Sequence, residues 1–465
     1  MGKVMQNISM IERLLGYITF LAVLFYLADV IFAMPASVYI YSTAAAILLV
    51  FSLLKMNRFT KRIILLLLGA GLWMFMYYQE AISIMLFSLG ENMNLLALFI
   101  LVPLFGVFMS EAGFLKALQH ALQKREQKHQ SRPYLFGYVL TAGMGSLLNL
   151  GSMPLVHKIG SESFTAFENK RFGLLIIRGF GFCMLWSPYF VNVALILVLY
   201  DLSWTDIGGY GFIMAACYSV IVALFFRSSV FSNPDERVNR SENKAPAAQQ
   251  KQLRLFLLFV VILLLLSFLL EMTLPFGMLT VVVLLGLLYP LIWAAVLNMF
   301  RCYVEKAHEE ISWSFKRLYN ELGIFITAGF FGEALSLSPA GEMLTRLLMD
   351  WSGGLVPALS ALLMAVAMVL AFIGIHPVII VIGIGGSLDP ALFGVTPSFM
   401  GMLMLAAWML ATQFSPFSGS VLMASHLMNV PAWKLVKKNT PFLLTVYVVF
   451  IFLLSALHWF QSIGV

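Results

Sequence analysis

Apolar positions run through this chain in long blocks, not in the one-sided stripes of a soluble helix or the alternation of a surface strand. Runs of about 20 such residues recur from end to end, each long enough to cross about 30 Å of hydrocarbon at about 1.5 Å per residue. They predict membrane-crossing helices near residues 13–33, 36–54, 63–82, 94–111, 172–200, 207–226, 253–270, 276–299, 320–336, 397–427 and 440–461. Two further blocks, 134–165 and 354–388, are rich in Gly and broken near their middles by Pro154 and Pro377. A central breaker suits a helix–break–helix hairpin that enters and leaves on one side better than two short crossings. The expected fold class is all-α integral membrane, with about 11 transmembrane helices and two re-entrant hairpins.

Composition agrees, with 61% of the 465 residues hydrophobic and 11% charged, too apolar for the single core of a soluble domain. The net charge of +7 does not point to nucleic acid, because the basic residues sit in short clusters between apolar blocks. Counting the two broken blocks as hairpins puts nearly all of those clusters on one side: Lys55 to Arg62, Lys116 to Arg132, Lys158 to Arg171, Arg227 to Arg254, Arg301 to Arg317 and Lys434 to Lys438. The opposite loops carry Glu80, Glu91, Asp201, Asp206, Glu271 and Asp389, with Arg346 as the basic exception. Basic loops stay in the cytoplasm, so the N-terminus is expected inside, the C-terminus outside, and the protein multi-pass in the cell membrane. Hairpin one then opens inward and hairpin two outward. Lys3 and Arg13 precede the first apolar block without a small-residue cleavage site, the pattern of a retained first helix. Cys183, Cys217 and Cys302 are odd in number and lie in or beside apolar blocks, against a disulfide framework.

The blocks also repeat. Phe105-Gly106 matches Phe331-Gly332 inside 98–122 and 324–348. Gly151-Ser-Met-Pro154 through Gly160 matches Gly374-Ile-His-Pro377 through Gly383, and Ser187-Pro188-Tyr189 matches Ser415-Pro416-Phe417. Asn192 and Ser420 stand five residues after the two serines. Three matches in one order and at nearly one offset mark a duplication, and the charge rule makes its halves inverted, as in many secondary transporters. The organisation that follows is scaffold helices over 1–93, a first repeat over 94–226, a solvated linker at 227–252, scaffold helices over 253–317, and a second repeat with the last helix over 318–465. Ala112–Arg132 and Ala340–Trp351 read as interfacial helices on opposite surfaces.

A backbone break at membrane depth frees N–H and C=O groups that hydrocarbon cannot satisfy, so breaks mark polar sites. The expected substrate-binding residues are Asn149, Ser152, Ser187, Asn192, His376, Ser415, Ser418 and Ser420, and the expected ion-coupling residues Gly151, Gly374, His376, Thr412 and Gln413. Each Ser or Asn has the alternative role of capping a broken helix end. His376 either carries a proton or sits neutral against a carbonyl, and Arg178 either neutralises an anion or snorkels to the interface. His157 and Lys158 are expected on the cytoplasmic arm of hairpin one, and Glu333 at a helix end near the outer surface.

The order of span, interfacial helix, hairpin and broken helix, twice, resembles the ion transporter superfamily, the elevator-type carriers that include the divalent anion/sodium symporters and citrate, gluconate and arsenite transporters. The resemblance covers roughly 94–228 and 318–440 and is carried by Gly151–Gly160, Gly374–Gly383, Ser187-Pro188 and Ser415-Pro416. It implies a homodimer whose hairpins and broken helices move as a transport domain against a scaffold. Dicarboxylate symporters of that superfamily carry Ser-Asn-Thr at the hairpin tips, where this chain has Gly-Ser-Met-Pro and Gly-Ile-His-Pro. The expected activity is ion-coupled transport of a small organic, anionic solute, driven by H+ or Na+, with no other cofactor or metal. Partners are the solute and membrane lipid. Export or flipping of an amphipathic or lipid-linked product is the alternative. The chain has no HExxH, paired Asp or GxSxG, so an enzyme is not expected.

Overall fold

The computed structural model describes residues 9–128, 133–164, 168–226 and 249–463. Lys3 and most of the expected linker, 227–248, lie outside the described residues. The described chain is helical throughout its regular structure: α1 (Met10–Phe32), α2 (Pro35–Lys55), α3 (Arg58–Tyr77), α4 (Ile82–Ser88), α5 (Met93–Glu111), α6 (Phe114–Lys128), α7 (Pro133–Leu148), α8 (Ser152–Ser163), α9 (Asn169–Cys183) and α10 (Val191–Leu199). There follow α11 (Trp204–Leu224), α12 (Gln249–Thr273), α13 (Met278–Val296), α14 (Phe300–Ser336), α15 (Ala340–Ser352), α16 (Val356–Phe372), α17 (Pro377–Ile380), α18 (Pro397–Phe414), α19 (Gly419–Met428) and α20 (Ala432–Ile463). Ten stretches among the described residues are long and apolar enough to cross a bilayer.

These helices fall into two compact units. The first comprises Met1–Val107, Leu279–Leu348 and Val378–Asp389, and the second Phe108–Met278, Met349–Pro377 and Pro390–Val465.

In the first unit, α1 starts where Ser9 and Glu12 cap each other reciprocally, and Lys55 of α2 closes on the same carboxylate at 3.1 Å. Gly16 lets α1 lie directly on the α14 backbone, since a Cβ there would sit 2.7 Å from the Ile311 carbonyl oxygen. The sequence pattern predicts a crossing at 320–336, whereas α14 is one continuous helix of 37 residues, about 55 Å at about 1.5 Å per residue. Its first half is too charged to count as hydrocarbon span, yet Arg301–Glu305 and Lys306–Glu309 pairs at helical spacing carry it on as helix.

In the second unit, α7 and α8 form hairpin one. A straight helix over 133–163 would be about 46 Å long, but here the chain turns back at Asn149, whose φ is +52°, so that Phe136 and Phe164 rings come within 6.0 Å. Gly137 on one arm and Gly160 on the other both lie against the Phe172 ring of α9, and a Cβ on either would collide with it. The block at 134–165 therefore doubles back on itself as expected, but at Asn149, five residues before Pro154, which lies in the first turn of α8.

Hairpin two begins at a bend of 119° between α15 and α16 and turns at Gly374, whose φ of +101° is costly for any residue with a Cβ. Beyond that turn the chain continues as α17 and a π-turn at Val381–Gly385. In the first unit, Thr345 of α15 donates to the Ser387 carbonyl at 3.2 Å. The crossing expected at 172–200 is observed as α9 and α10, separated at 184–190, and that at 397–427 as α18 and α19, separated at 415–418.

Candidate functional site

Both interruptions in the second unit are built on the same four hydrogen bonds, three of the partners lying 228 residues apart and the hairpin carbonyl 225. The Ser187 amide donates to the Cys183 carbonyl at 3.1 Å, and the Ser415 amide to Ala411 at 3.0 Å. The two hydroxyls accept from Tyr189 N at 3.3 Å and Phe417 N at 3.2 Å. The two serine carbonyls accept from Phe190 N and Ser418 N. Finally, each hydroxyl donates at 2.6 Å to a carbonyl in the last turn of a hairpin's first arm, Ser146 for Ser187 and Ala371 for Ser415. The proline explains the need: it has no N–H and ends helical pairing, so the preceding serine closes the turn and anchors it to a hairpin.

Around this shared frame the breaks differ. Break one is enclosed. Tyr189, 1% exposed, is hydrogen-bonded through its hydroxyl to Ser267 of α12; Asn192 Nδ2 donates to the Met184 carbonyl at 2.6 Å; and Trp204 Nε1 donates to the Trp186 carbonyl at 2.8 Å. Break two is open. Phe417 is 58% exposed and Gly419 is exposed beside it. Ser418 caps α19 by accepting from Val421 N. Thr412 and Ser420 are buried, and among the described residues neither hydroxyl has a hydrogen-bond partner.

The tips belong to the same neighbourhood. Asn149 and Gly151 form the turn of hairpin one, where Ser152 Oγ donates to the Asn149 carbonyl at 2.7 Å. Leu150 between them reaches Gly419, 3.4 Å from where a Cβ would stand, so tip one lies against break two. Phe372, just before tip two, packs on Phe414 with ring centroids 5.4 Å apart, next to the Ser415–Ala371 bond. Gly374 and the half-buried His376 make up tip two.

Gln413 has a different setting. Its Nε2 donates to Tyr218 at 2.9 Å and to Met409 Sδ, and its Oε1 accepts from Asn439 at 3.2 Å. Asn439 in turn accepts from Arg178 Nε at 3.0 Å. Arg178, 1% exposed, also donates to the Phe225 carbonyl at 3.4 Å and lies over the Phe442 ring at 4.3 Å. It is enclosed within the helices, with no snorkelling toward a surface. Space for this chain exists only because residue 181 is Gly: a Cβ there would stand 1.8 Å from Gln413 Nε2. Tyr218 and Asn439 escape sequence reasoning. Their one signal is a polar group inside an apolar block, which does not say what it meets.

His157 Nε2 donates to Asn169 Oδ1 at 2.6 Å, and Asn169 Nδ2 donates to the Leu427 carbonyl at 3.0 Å, clamping hairpin one to the end of α19. Glu333 is half-buried near the end of α14. Among the described residues, no group of three or more His, Cys, Asp or Glu side chains is placed to hold a metal ion.

No family model matches the chain. No curated protein matches it either. Among solved structures, the YdaH transporter of Alcanivorax borkumensis, whose crystal structure is described as revealing an unusual topology, is similar over 78% of this chain and 85% of that one, at 15% identity and a TM-score of 0.48.

Proposed function

We propose that this chain is a secondary transporter that carries a small organic, anionic solute across the cell membrane by elevator-type alternating access, coupled to H+ or Na+. The observation that supports it most is the pair of Ser-Pro breaks, each tied by its serine hydroxyl to the end of a re-entrant arm. Backbone irregularity at membrane depth is tolerated where it is buried in protein or lines a polar cavity, and two such places built alike are what inverted-repeat carriers use around a central solute. Asn149, Ser152 and Gly151 of tip one, Gly374 and His376 of tip two, and Ser187, Asn192, Thr412, Ser415, Ser418 and Ser420 at the breaks would surround that solute. On this reading the second unit is the mobile domain, the protein works as a homodimer, and the N-terminus is cytoplasmic. Gln413 belongs to the support of the site, because its amide is already engaged on both sides.

A second reading, export or flipping of an amphipathic product, draws on the exposed apolar side chains of Phe372, Ile373 and Phe417 around break two.

Counterflow in proteoliposomes, with labelled carboxylates, amino acids and a short-chain lipid under imposed Na+ or H+ gradients, tests both. A carboxylate or amino-acid signal that depends on one gradient, and that falls at least tenfold in Ser187→Ala/Ser415→Ala, supports the first reading. Undiminished counterflow in that double variant overturns it, and a lipid signal alone favours the second.

A further inference from the structure

Proline at position i withholds its N–H from the carbonyl four residues back. In break one that carbonyl belongs to Met184, and the amide of Asn192 supplies the missing donor at 2.6 Å. The equivalent positions in break two, both 228 residues further on, are Thr412 and Ser420. Pro416 withholds its N–H from the Thr412 carbonyl in the same way, but serine is one atom shorter than asparagine and ends in a hydroxyl. No side-chain amide stands at the Asn192 position of break two. Instead, Ser420 at 2% exposure and Thr412 at 8% carry hydroxyls without a partner among the described residues. A buried hydroxyl left unpaired is costly, so the arrangement calls for a group from outside the chain.

The chemistry of that group follows from what surrounds it. The Thr412 carbonyl accepts only, so the group that meets it must be a donor, and each hydroxyl can accept as well as donate, so a group with several donors can satisfy all three. A carboxylate has none and a hydroxyl one, whereas a primary ammonium has three. The carboxyl end of α18, an 18-residue helix finishing at Phe414, favours positive charge at the same place. Access is available on this side and not on the other: Phe417 and Gly419 are exposed, while Tyr189 and Val191 at the equivalent of that rim are buried.

We infer that Thr412 and Ser420 form a subsite for a primary amino group carried by the solute, in the place the Asn192 amide fills in break one. The inference rests on the transport reading for its purpose but not for its test. The solute class becomes an amino-bearing organic acid in place of a simple carboxylate.

The test is thermal unfolding of the full-length purified protein, titrated with methylammonium chloride against tetramethylammonium chloride and sodium chloride at equal ionic strength. A saturable rise of about 2–4 °C with methylammonium, absent with both controls, is expected, the size of shift a weak ligand gives when well above its Kd. Ser420→Asn, which builds the break-one amide into break two, is expected to raise the starting Tm and abolish the response. Thr412→Val, which removes one acceptor without adding bulk, weakens it at least fivefold and serves if Ser420→Asn does not fold. A wild-type protein insensitive to methylammonium, an equal response to sodium, or a full response in the variants overturns the subsite. If the response is as expected while proteoliposomes show no counterflow of any solute, transport fails and the subsite stands.

Discussion

Breaks one and two share a backbone and divide its uses. The first is closed on all sides, with Tyr189 bonded to Ser267, Trp204 bonded to the Trp186 carbonyl and Asn192 bridging the proline gap. The second keeps the serine anchor and lacks the enclosure, leaving Phe417 exposed and two buried hydroxyls unpartnered. A buried polar group without a partner costs about 1–3 kcal/mol, and break one leaves one such group, the Trp186 indole N–H, where break two leaves two hydroxyls. Where a protein tolerates that cost beside an open rim, the unsatisfied groups are the place to look for a ligand.

That contrast can be attacked most forcefully where the two broken helices touch. Gly181→Ala drives a methyl group into Gln413 and Tyr218, and both overpacking and the broken polar chain count against it. A loss of about 3 kcal/mol in reversible unfolding is expected, partly recovered in Gly181→Ala/Gln413→Ala; a loss under about 1 kcal/mol would show that the crossing is looser than described. Next comes the bridge itself. Asn192→Ala is expected to cost about 2 kcal/mol, while Ser420→Ala, which removes a hydroxyl with no partner, changes stability by less than about 0.5 kcal/mol. Equal effects at the two positions would erase the difference between the breaks. Smaller still, Ser187→Ala and Ser415→Ala each remove a hydroxyl that donates one hydrogen bond and accepts another, about 1.5 kcal/mol apiece, and matched losses would confirm that the anchors are equivalent. The least effect on stability, within about 0.5 kcal/mol, belongs to Phe417→Ala at the exposed rim, where solute affinity in the counterflow assay is the quantity that moves.

Much of this arrangement could be read from the chain because breaker chemistry is local. Pro188, Pro377 and Pro416 announce their interruptions, Pro154 stands just past one in the first turn of α8, and the apolar blocks announce the helices. What stayed hidden depends on distant partners. Asn439 meets Arg178 across 261 positions of sequence and Gln413 across 26, and nothing in their neighbours forecasts either meeting. Gly181 reads as one more glycine in a Gly-rich helix until the side chain crossing it is seen. The first half of α14 was missed as helix because hydropathy stops at its charges, whereas backbone pairing does not. The asymmetry of the breaks was half legible: Asn192 against Ser420 is a visible change, but its meaning depends on the Met184 carbonyl lying 2.6 Å away.

The chain of contacts from Tyr218 through Gln413 and Asn439 to Arg178 has a mechanical side. It pins α9, α11, α18 and α20 to one another, and the His157–Asn169–Leu427 clamp pins α8, α9 and α19. Two separate fastenings that share α9 resist both sliding and twisting of that helix, as two bolts hold a plate where one would let it swivel. Whatever displacement this unit undergoes, its two breaks are carried along together and keep their spacing.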